Sequence, residues 1–211
     1  MDNLIYILLI CFVAPMFLLL LMLKKRAKLI VAFMLVGIFT SLFASELNTI
    51  MLHALDNDTL LLTTSITPAT EEFFKALPIL FYAIIVSDRR DRIFPISFAL
   101  GIGFGMFENM VMLVQNVENA TIAWSLVRGF STALMHGICT LAVGYGICFV
   151  RKKKKLFVGG TFALLAFAST YHGIFNMLVQ SEYNYIGYIM PAVTYIPILL
   201  LQRKEFRLIE L

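Results

Sequence analysis

The sequence predicts an all-α, polytopic integral membrane protein, with about seven transmembrane helices in one bundle. Of its 211 residues, 60% are hydrophobic and only 14% are charged, and the mean hydropathy is +0.87. A soluble protein of this size would lack the polar residues needed to cover so much apolar surface. Apolar segments as long as a membrane span alternate with short polar connections, which is typical of a chain that crosses the bilayer repeatedly.

Seven segments are long and apolar enough to cross a hydrocarbon core about 30 Å thick. The first follows the acidic start "MDN" and lacks a cleavage site of small residues, so we expect a retained helix and not a signal peptide. No repeat, linker or low-complexity segment separates the others, so we expect a single domain over residues 1–211. The predicted spans are residues 4–23, 29–54, 60–86, 93–115, 126–150, 156–180 and 185–202.

The connections between these spans alternate between basic and non-basic sequences. The basic ones are "KKRAK" (24–28), "SDRRDR" (87–92), "RKKKK" (151–155) and the tail "QRKEFR" (202–207), and those without Lys or Arg are "LDNDT" (55–59), "QNVENA" (115–120) and "QSEYN" (180–184). Because basic connections stay in the cytoplasm, we expect the N-terminus outside and the C-terminus inside. We attribute the net charge of +4 to contact with the lipid bilayer, and expect no nucleic-acid partner.

Several titratable or amide side chains lie inside the predicted spans, where a charged group costs at least about 2.5–3.5 kcal/mol. At a rise of about 1.5 Å per residue, those in the third to sixth spans reach a similar depth in the outer half of the membrane. Independent structural residues would not be expected to align in this way, so we infer a shared polar cavity. The residues are Glu71, Glu72 and Lys75 in the third span, Glu108 in the fourth, His136 in the fifth, and His172 and Asn176 in the sixth.

The residue types of this cluster suit hydrolysis of a carbonyl compound. A glutamate can act as a general base on water, a histidine can orient that water or protonate a leaving amine, and His and Asn donors can stabilise an oxyanion. Lys75 follows Glu72 by three residues and Glu71 by four, so it can pair with either. Zinc binding through His136, His172 and a glutamate is an alternative, although no HExxH sequence is present. No serine lies in a nucleophile-elbow sequence, so a serine mechanism is not favoured.

Four short motifs resemble those of the PrsW-type intramembrane proteases, which are related to the CAAX-processing and Abi proteases. They are "EEFFK" (71–75), "FEN" (107–109), His136 and "HGIFN" (172–176), each in a separate hydrophobic span. The resemblance covers about residues 60–180 and implies a membrane-embedded protease domain in a bacterial cell membrane. It also implies a single-pass membrane protein substrate such as an anti-sigma factor, cut first on the outer side of the membrane in a stress response.

The resemblance implies that the paired glutamates, Glu71 and Glu72, and the histidines, His136 and His172, are catalytic. We expect Glu71 to be the general base on water and Glu72 to help position the water or balance charge. Lys75 is expected to hold this glutamate pair in its electrostatic state.

The remaining polar residues complete the expected site. We expect His136 and His172 to bind the water and the oxyanion, with Asn176 supporting the oxyanion. Glu108 is expected to orient a histidine or to take part in proton transfer. We expect no bound metal; if a metal is present, its ligands would be His136, His172 and Glu71.

Other polar and small residues receive structural interpretations. We expect Glu46 to lie near a helix crossing and His53 to be interfacial. Arg128 is interpreted as an interfacial anchor or a partner for Glu118, and the glycines of 101–105 as positions of close helix packing.

Two other functions use the same kinds of residues. An ion- or proton-coupled transporter also places Glu, His and Lys inside the membrane, but such proteins usually show internal repeats, and none is evident. A non-catalytic membrane scaffold of the same fold would need the polar network only for folding. Cleavage of a membrane substrate by the purified protein would separate all three.

Overall fold

The computed structural model describes residues 2–54 and 58–209, and the side chains of residues 4–54 and 58–200. Part of the predicted connection 55–59 and the side chains of the basic tail 202–207 lie outside the described residues. The described chain is helical, without strands. Its elements are α1 (Asp2–Met22), α2 (Lys25–Ala54), α3 (Thr59–Leu61), a π-helical turn (Leu62–Ile66), α4 (Thr67–Ile85), α5 (Arg90–Gln115), α6 (Ile122–Ile147), α7 (Lys154–Val179) and α8 (Asn184–Ile209).

The helices confirm the prediction of an all-α, polytopic membrane protein. In the described part of the chain, five helices are long and apolar enough to cross a membrane, namely α1, α2, α5, α6 and α7. The apolar part of α8, Asn184–Leu200, is shorter. Helix α4 is not among these five because three of its 19 residues are charged, which lowers its hydropathy. It nevertheless packs between α2, α6 and α7.

The predicted third span, 60–86, is interrupted by the π-helical turn immediately before α4. Pro68 has no backbone N–H, and its ring would collide with the carbonyl of the residue four positions earlier, Thr64, in a regular α-helix. A wider turn over Leu62–Ile66 relieves this collision. The turn also frees the carbonyl of Thr63, because the residue five positions later is again Pro68.

Glycines bring α5 very close to its two neighbours. A Cβ atom on Gly103 would lie 2.0 Å from the carbonyl oxygen of Met34 in α2, and one on Gly101 would lie 2.4 Å from the carbonyl oxygen of His136 in α6. Neither position accepts a side chain without moving a helix. The interpretation of the glycines at 101–105 as close-packing positions is confirmed, and this packing holds Glu108, two turns further along α5, beside α6.

Helix α1 packs on the outside of the pair formed by α2 and α5. Leu9 and Val13 are buried against Leu35, Ile38 and Phe107 in a small apolar cluster. Most other α1 side chains point outward and are apolar, so we expect them to contact lipid.

Candidate active site

A cavity of about 420 Å³ opens at one end of the bundle. Its lining residues come from the C-terminal halves of α2, α5 and α7 and from the N-terminal parts of α4 and α6. These ends carry the connections without Lys or Arg, so the cavity lies on the side predicted to be outside. Four predicted site residues line it directly: Glu71, Glu108, His172 and Asn176.

The other three predicted residues lie below the cavity in a buried polar layer. The Nζ atom of Lys75 lies 2.6 Å from Oε1 of Glu72 and 2.9 Å from Nδ1 of His136. The same Oε1 atom is 3.0 Å from Nδ1 of His172. Lys75, Glu72 and His136 are fully buried, so this layer fixes both imidazole rings from their Nδ1 side. Lys75 therefore contacts Glu72 and His136. Among the described hydrogen bonds, none joins Lys75 to Glu71.

The chemistry of these partners assigns opposite tautomers to the two rings. A lysine ammonium only donates, so Nδ1 of His136 accepts and its ring proton lies on Nε2. A carboxylate only accepts, so Nδ1 of His172 donates to Glu72, and in the neutral ring Nε2 carries the lone pair. The two Nε2 atoms thus differ: Nε2 of His136 donates to Glu108, whereas Nε2 of neutral His172 is an acceptor or metal ligand.

Glu71 is held by one oxygen and free at the other. Its Oε1 accepts a hydrogen bond from Nδ2 of Asn48 at 3.2 Å. Its Oε2 has no hydrogen-bond partner among the described side chains and lies 4.0 Å from Nε2 of His172. Thr70 lies 3.5 Å from Oδ1 of Asn48, an orientation that leaves the Asn48 amide nitrogen for Glu71. Asn48 is a residue that sequence reasoning did not assign to the site.

Glu108 contacts His136, which is the contact that its expected orienting role would need. Its Oε2 lies 2.5 Å from Nε2 of His136, and its Oε1 accepts from Nη2 of Arg128 at 3.1 Å. Arg128 was interpreted as an interfacial anchor or a partner for Glu118, and the structure corrects this. Helix α6 begins at Ile122 and not at 126, so Arg128 lies well inside the helix and is only 8% exposed.

Asn176 lines the cavity, and one of its two amide N–H donors already has a partner. Its Nδ2 donates to the carbonyl of Thr63 at 2.9 Å, which is the carbonyl left unpaired by Pro68. Gly173, one turn earlier, lies so close to the π-helical turn that a Cβ atom would be 2.3 Å from the carbonyl oxygen of Thr64. The HxxxN spacing therefore fastens α7 to this turn and fixes the position of His172.

The site contains a group of side chains suited to a metal ion. Glu71, His136 and His172 each offer one ligand atom, and these atoms lie within 4.8 Å of one another. One carboxylate and two imidazoles form a ligand set of catalytic zinc sites. The free Oε2 of Glu71 and the lone pair of His172 Nε2 fit this use directly. His136 fits if one of its ring nitrogens exchanges its present partner, Lys75 or Glu108, for the ion.

Comparison with known proteins is in agreement with this geometry. No curated protein and no solved structure matches the chain. A family model described as "PrsW family intramembrane metalloprotease" matches residues 25–202, from the start of α2 into α8, and leaves out α1. The expectation of a metal-free site is not confirmed, and the Glu71, His136 and His172 alternative is consistent with the family's description. Since the match covers far more than half of the 211 residues, the chain belongs to the PrsW family of intramembrane metalloproteases.

Proposed function

We propose that this membrane protease hydrolyses a peptide bond of a membrane-spanning protein at the cluster of Glu71, His136 and His172. The observation that carries the proposal is the carboxylate oxygen Oε2 of Glu71, which has no hydrogen-bond partner among the described residues, lying 4.0 Å from Nε2 of His172 in the lining of an open cavity. Two acceptors at that separation suit one bridging water, because two hydrogen bonds of about 2.8 Å diverging at the water angle span roughly 4.4 Å.

Glu71 and His172 activate the attacking water. Glu71 Oε2 takes a proton as the water oxygen bonds to the carbonyl carbon, and the same proton is then given to the leaving amine as the C–N bond breaks. His172 accepts a hydrogen bond from the second O–H of the water, which stays on the oxygen, and orients the water. Asn48 keeps Glu71 in place through Oε1, so that Oε2 remains directed at the water.

Stabilisation of the oxyanion comes from the α6 side. His136 presents an Nε2–H, and Arg128 has a buried Nε–H without an acceptor among the described residues. Both side chains now contact Glu108, which lines the cavity. The substrate carbonyl oxygen would share these donors with Glu108, and directed donors of this kind stabilise a developing negative charge.

Metal binding is part of the proposal because the family is described as metalloproteases. Glu71, His136 and His172 would hold a divalent cation, which when bound would supply Lewis-acid polarisation of the water and the carbonyl. A mechanism in which Glu71 is the general base and a mechanism in which Glu71 is a metal ligand use the same side chains. Metal analysis of the active protein separates them.

The proposed substrate is a single-pass membrane protein such as an anti-sigma factor. Two features support a cut near the outer face: the cavity opens at the end of the bundle that carries the non-basic connections, and the resemblance to the family implies an outer-side cut. The proposed location is the bacterial cell membrane, with the N-terminus outside and the C-terminus in the cytoplasm.

The test is cleavage of a single-pass reporter substrate by the purified protein in liposomes. We expect Glu71→Gln and His172→Ala each to abolish cleavage while the protein still accumulates, since Gln keeps the size of Glu and loses its basicity. Glu46→Gln is the matched control, because Glu46 is outward-facing and its described contact is Tyr6 at 3.5 Å. Full cleavage by Glu71→Gln would contradict the proposed role. If none of the three variants accumulated, the result would instead favour a non-catalytic scaffold. Ion transport by the wild-type protein without cleavage would favour a transporter.

A further inference from the structure

Helix α1 is the least buried of the five described helices that are long and apolar enough to cross a membrane. In its described part only Leu9 and Val13 are buried, and the other side chains, almost all of them apolar, are exposed or half-buried. The described hydrogen bond that joins α1 to another helix is the contact of the Tyr6 hydroxyl with Glu46 Oε1 at 3.5 Å, which is long for such a bond. No described residue of α1 lines the cavity. Helix α1 therefore lies beside the site without contributing a group to it.

The face of α2 that lies under α1 continues into the cavity. Leu35, Ile38 and Leu42 belong to the apolar cluster that α1 completes. Steps of three and four residues extend this row to Ser45 and Thr49, which line the cavity. The same side of α2 therefore faces α1 in the middle of the helix and the cavity towards its C-terminal end.

The face of α5 that lies under α1 also reaches the cavity. Phe107 and Val111 pack in the cluster with α1, and both of them line the cavity as well. These two side chains are therefore a wall shared by α1 and the cavity. The surface that α1 covers is called the α2–α5 groove, and its residues are Leu35, Ile38 and Leu42 of α2 and Phe107, Met110 and Val111 of α5.

Moving α1 out of this groove costs little inside a membrane. Lipid tails are as apolar as the side chains of α1, so the separation loses van der Waals packing and the long Tyr6 contact but no hydrophobic free energy. Leu23 and Lys24 join α1 to α2 at the end of the bundle opposite the cavity. A tilt of about 20° about this connection would move the other end of α1, a helix of 21 residues, by about 10 Å, the width of a helix.

We infer that the α2–α5 groove docks the spanning helix of the substrate, and that α1 occupies this place until the substrate displaces it. The inference rests on the proposed function and adds an entry route to it. Helix α1 shows the kind of partner that the groove fits, which is a helix with apolar side chains along its length. A substrate helix in the same place would adjoin the cavity at Phe107 and Val111, and the cavity holds Glu71 and His172.

The first test measures docking without turnover. In the inactive Glu71→Gln chain, a photocrosslinking residue replaces Leu42, which lies in the groove, or the adjacent Phe43, which is exposed. We expect the spanning helix of the single-pass reporter to be captured at 42 and not at 43. Equal capture at both positions, no capture at 42, or capture there of a second copy of this chain instead of the reporter would overturn the inference.

The second test holds α1 in the groove. Tyr6→Cys and Glu46→Cys, in a chain with Cys11→Ser, place two thiols where α1 and α2 are in contact, while the native Cys139 and Cys148 are buried. A bifunctional thiol reagent with a reducible linker joins the pair, and a monofunctional reagent on the same chain is the matched control. Cleavage of the reporter should be lost in the tethered chain, return when the linker is reduced, and persist in the control.

The outcomes separate this inference from the proposed function. If the tethered chain cuts the reporter as fast as the control, or if the tether does not reduce capture at position 42, the groove inference is wrong and the protease proposal stands. If cleavage is lost but does not return on reduction, the loss is not due to the tether, and capture at 42 decides the inference. If neither the wild-type protein nor the control cuts the reporter, the proposed function fails. Capture at 42 that the tether abolishes would then still support the groove as a docking surface for a spanning helix.

Discussion

The buried ion pair below the cavity leads to a prediction about Lys75→Met. Met has nearly the length of Lys and no charge, so the substitution removes the ammonium and fills most of its space. Glu72 would keep one described partner, Nδ1 of His172, and its Oε2 already has none among the described residues. The carboxylate is fully buried, so water cannot replace the ammonium.

The expected loss of stability is large. Removing one partner of a buried ion pair costs about 3–5 kcal/mol, because the remaining charge is left uncompensated. Lys75 also lies 4.6 Å from the centre of the Phe104 ring, a cation–π contact worth about 0.5–2 kcal/mol. Insertion into the membrane should become easier, since a charge is removed. The substitution should therefore lower the stability of the folded protein in the membrane and should not prevent its insertion.

Thermal unfolding of the purified protein in detergent measures the effect. A loss of several kcal/mol corresponds to a fall in Tm of roughly 10 °C for a chain of this length. The double variant Lys75→Met with Glu72→Gln is the control, because neutralising both partners is often tolerated. We expect it to recover most of the lost Tm. Activity should not recover, since Nδ1 of His136 has lost the donor that fixes its tautomer.

Nitrogen-15 NMR of labelled histidine reads the tautomers directly, and the chain has only three histidines. In the wild-type protein His136 should be protonated at Nε2 and His172 at Nδ1. Lys75→Met alone should lose the first assignment and keep the second, because the Glu72 carboxylate still accepts from Nδ1 of His172. The reasoning is refuted if Lys75→Met unfolds at the wild-type temperature, or if both histidines of the wild-type protein show the same tautomer.

Three further predictions concern orientation, packing and metal. Reporter fusions at Val117 and Lys153 should read outside and inside respectively, and the reverse result would place the cavity on the cytoplasmic face. Gly173→Ala should destabilise the protein by about 1–3 kcal/mol and impair cleavage, because the new Cβ would lie 2.3 Å from the Thr64 carbonyl oxygen. Gly129→Ala, with no atom within 4 Å of the new Cβ, should be silent, and equal effects would contradict the packing argument. Elemental analysis of the active protein should find a divalent metal that is lost together with activity on chelation, whereas full activity without metal would favour glutamate-activated water.

The sequence by itself determined the membrane architecture and the depth of the site. Hydropathy and charge along the chain are local properties, and a constant helical rise converts residue number into depth. Glu71, Glu108, His136 and His172 could therefore be expected at one level before any contact between helices was known. The contact of Glu108 with a histidine was also foreseen, because carboxylates and imidazoles at one level pair readily.

Only the tertiary structure decided which polar residues are partners. Pairing depends on how far each helix is rotated about its axis and on how closely glycines let the helices approach, and no single span encodes either. This is why Asn48 was not assigned to the site and Arg128 was placed at the interface. It is also why the bond from the Asn176 amide to the carbonyl of Thr63 was not foreseen: that carbonyl is freed by Pro68, more than 100 residues away from Asn176 in the chain.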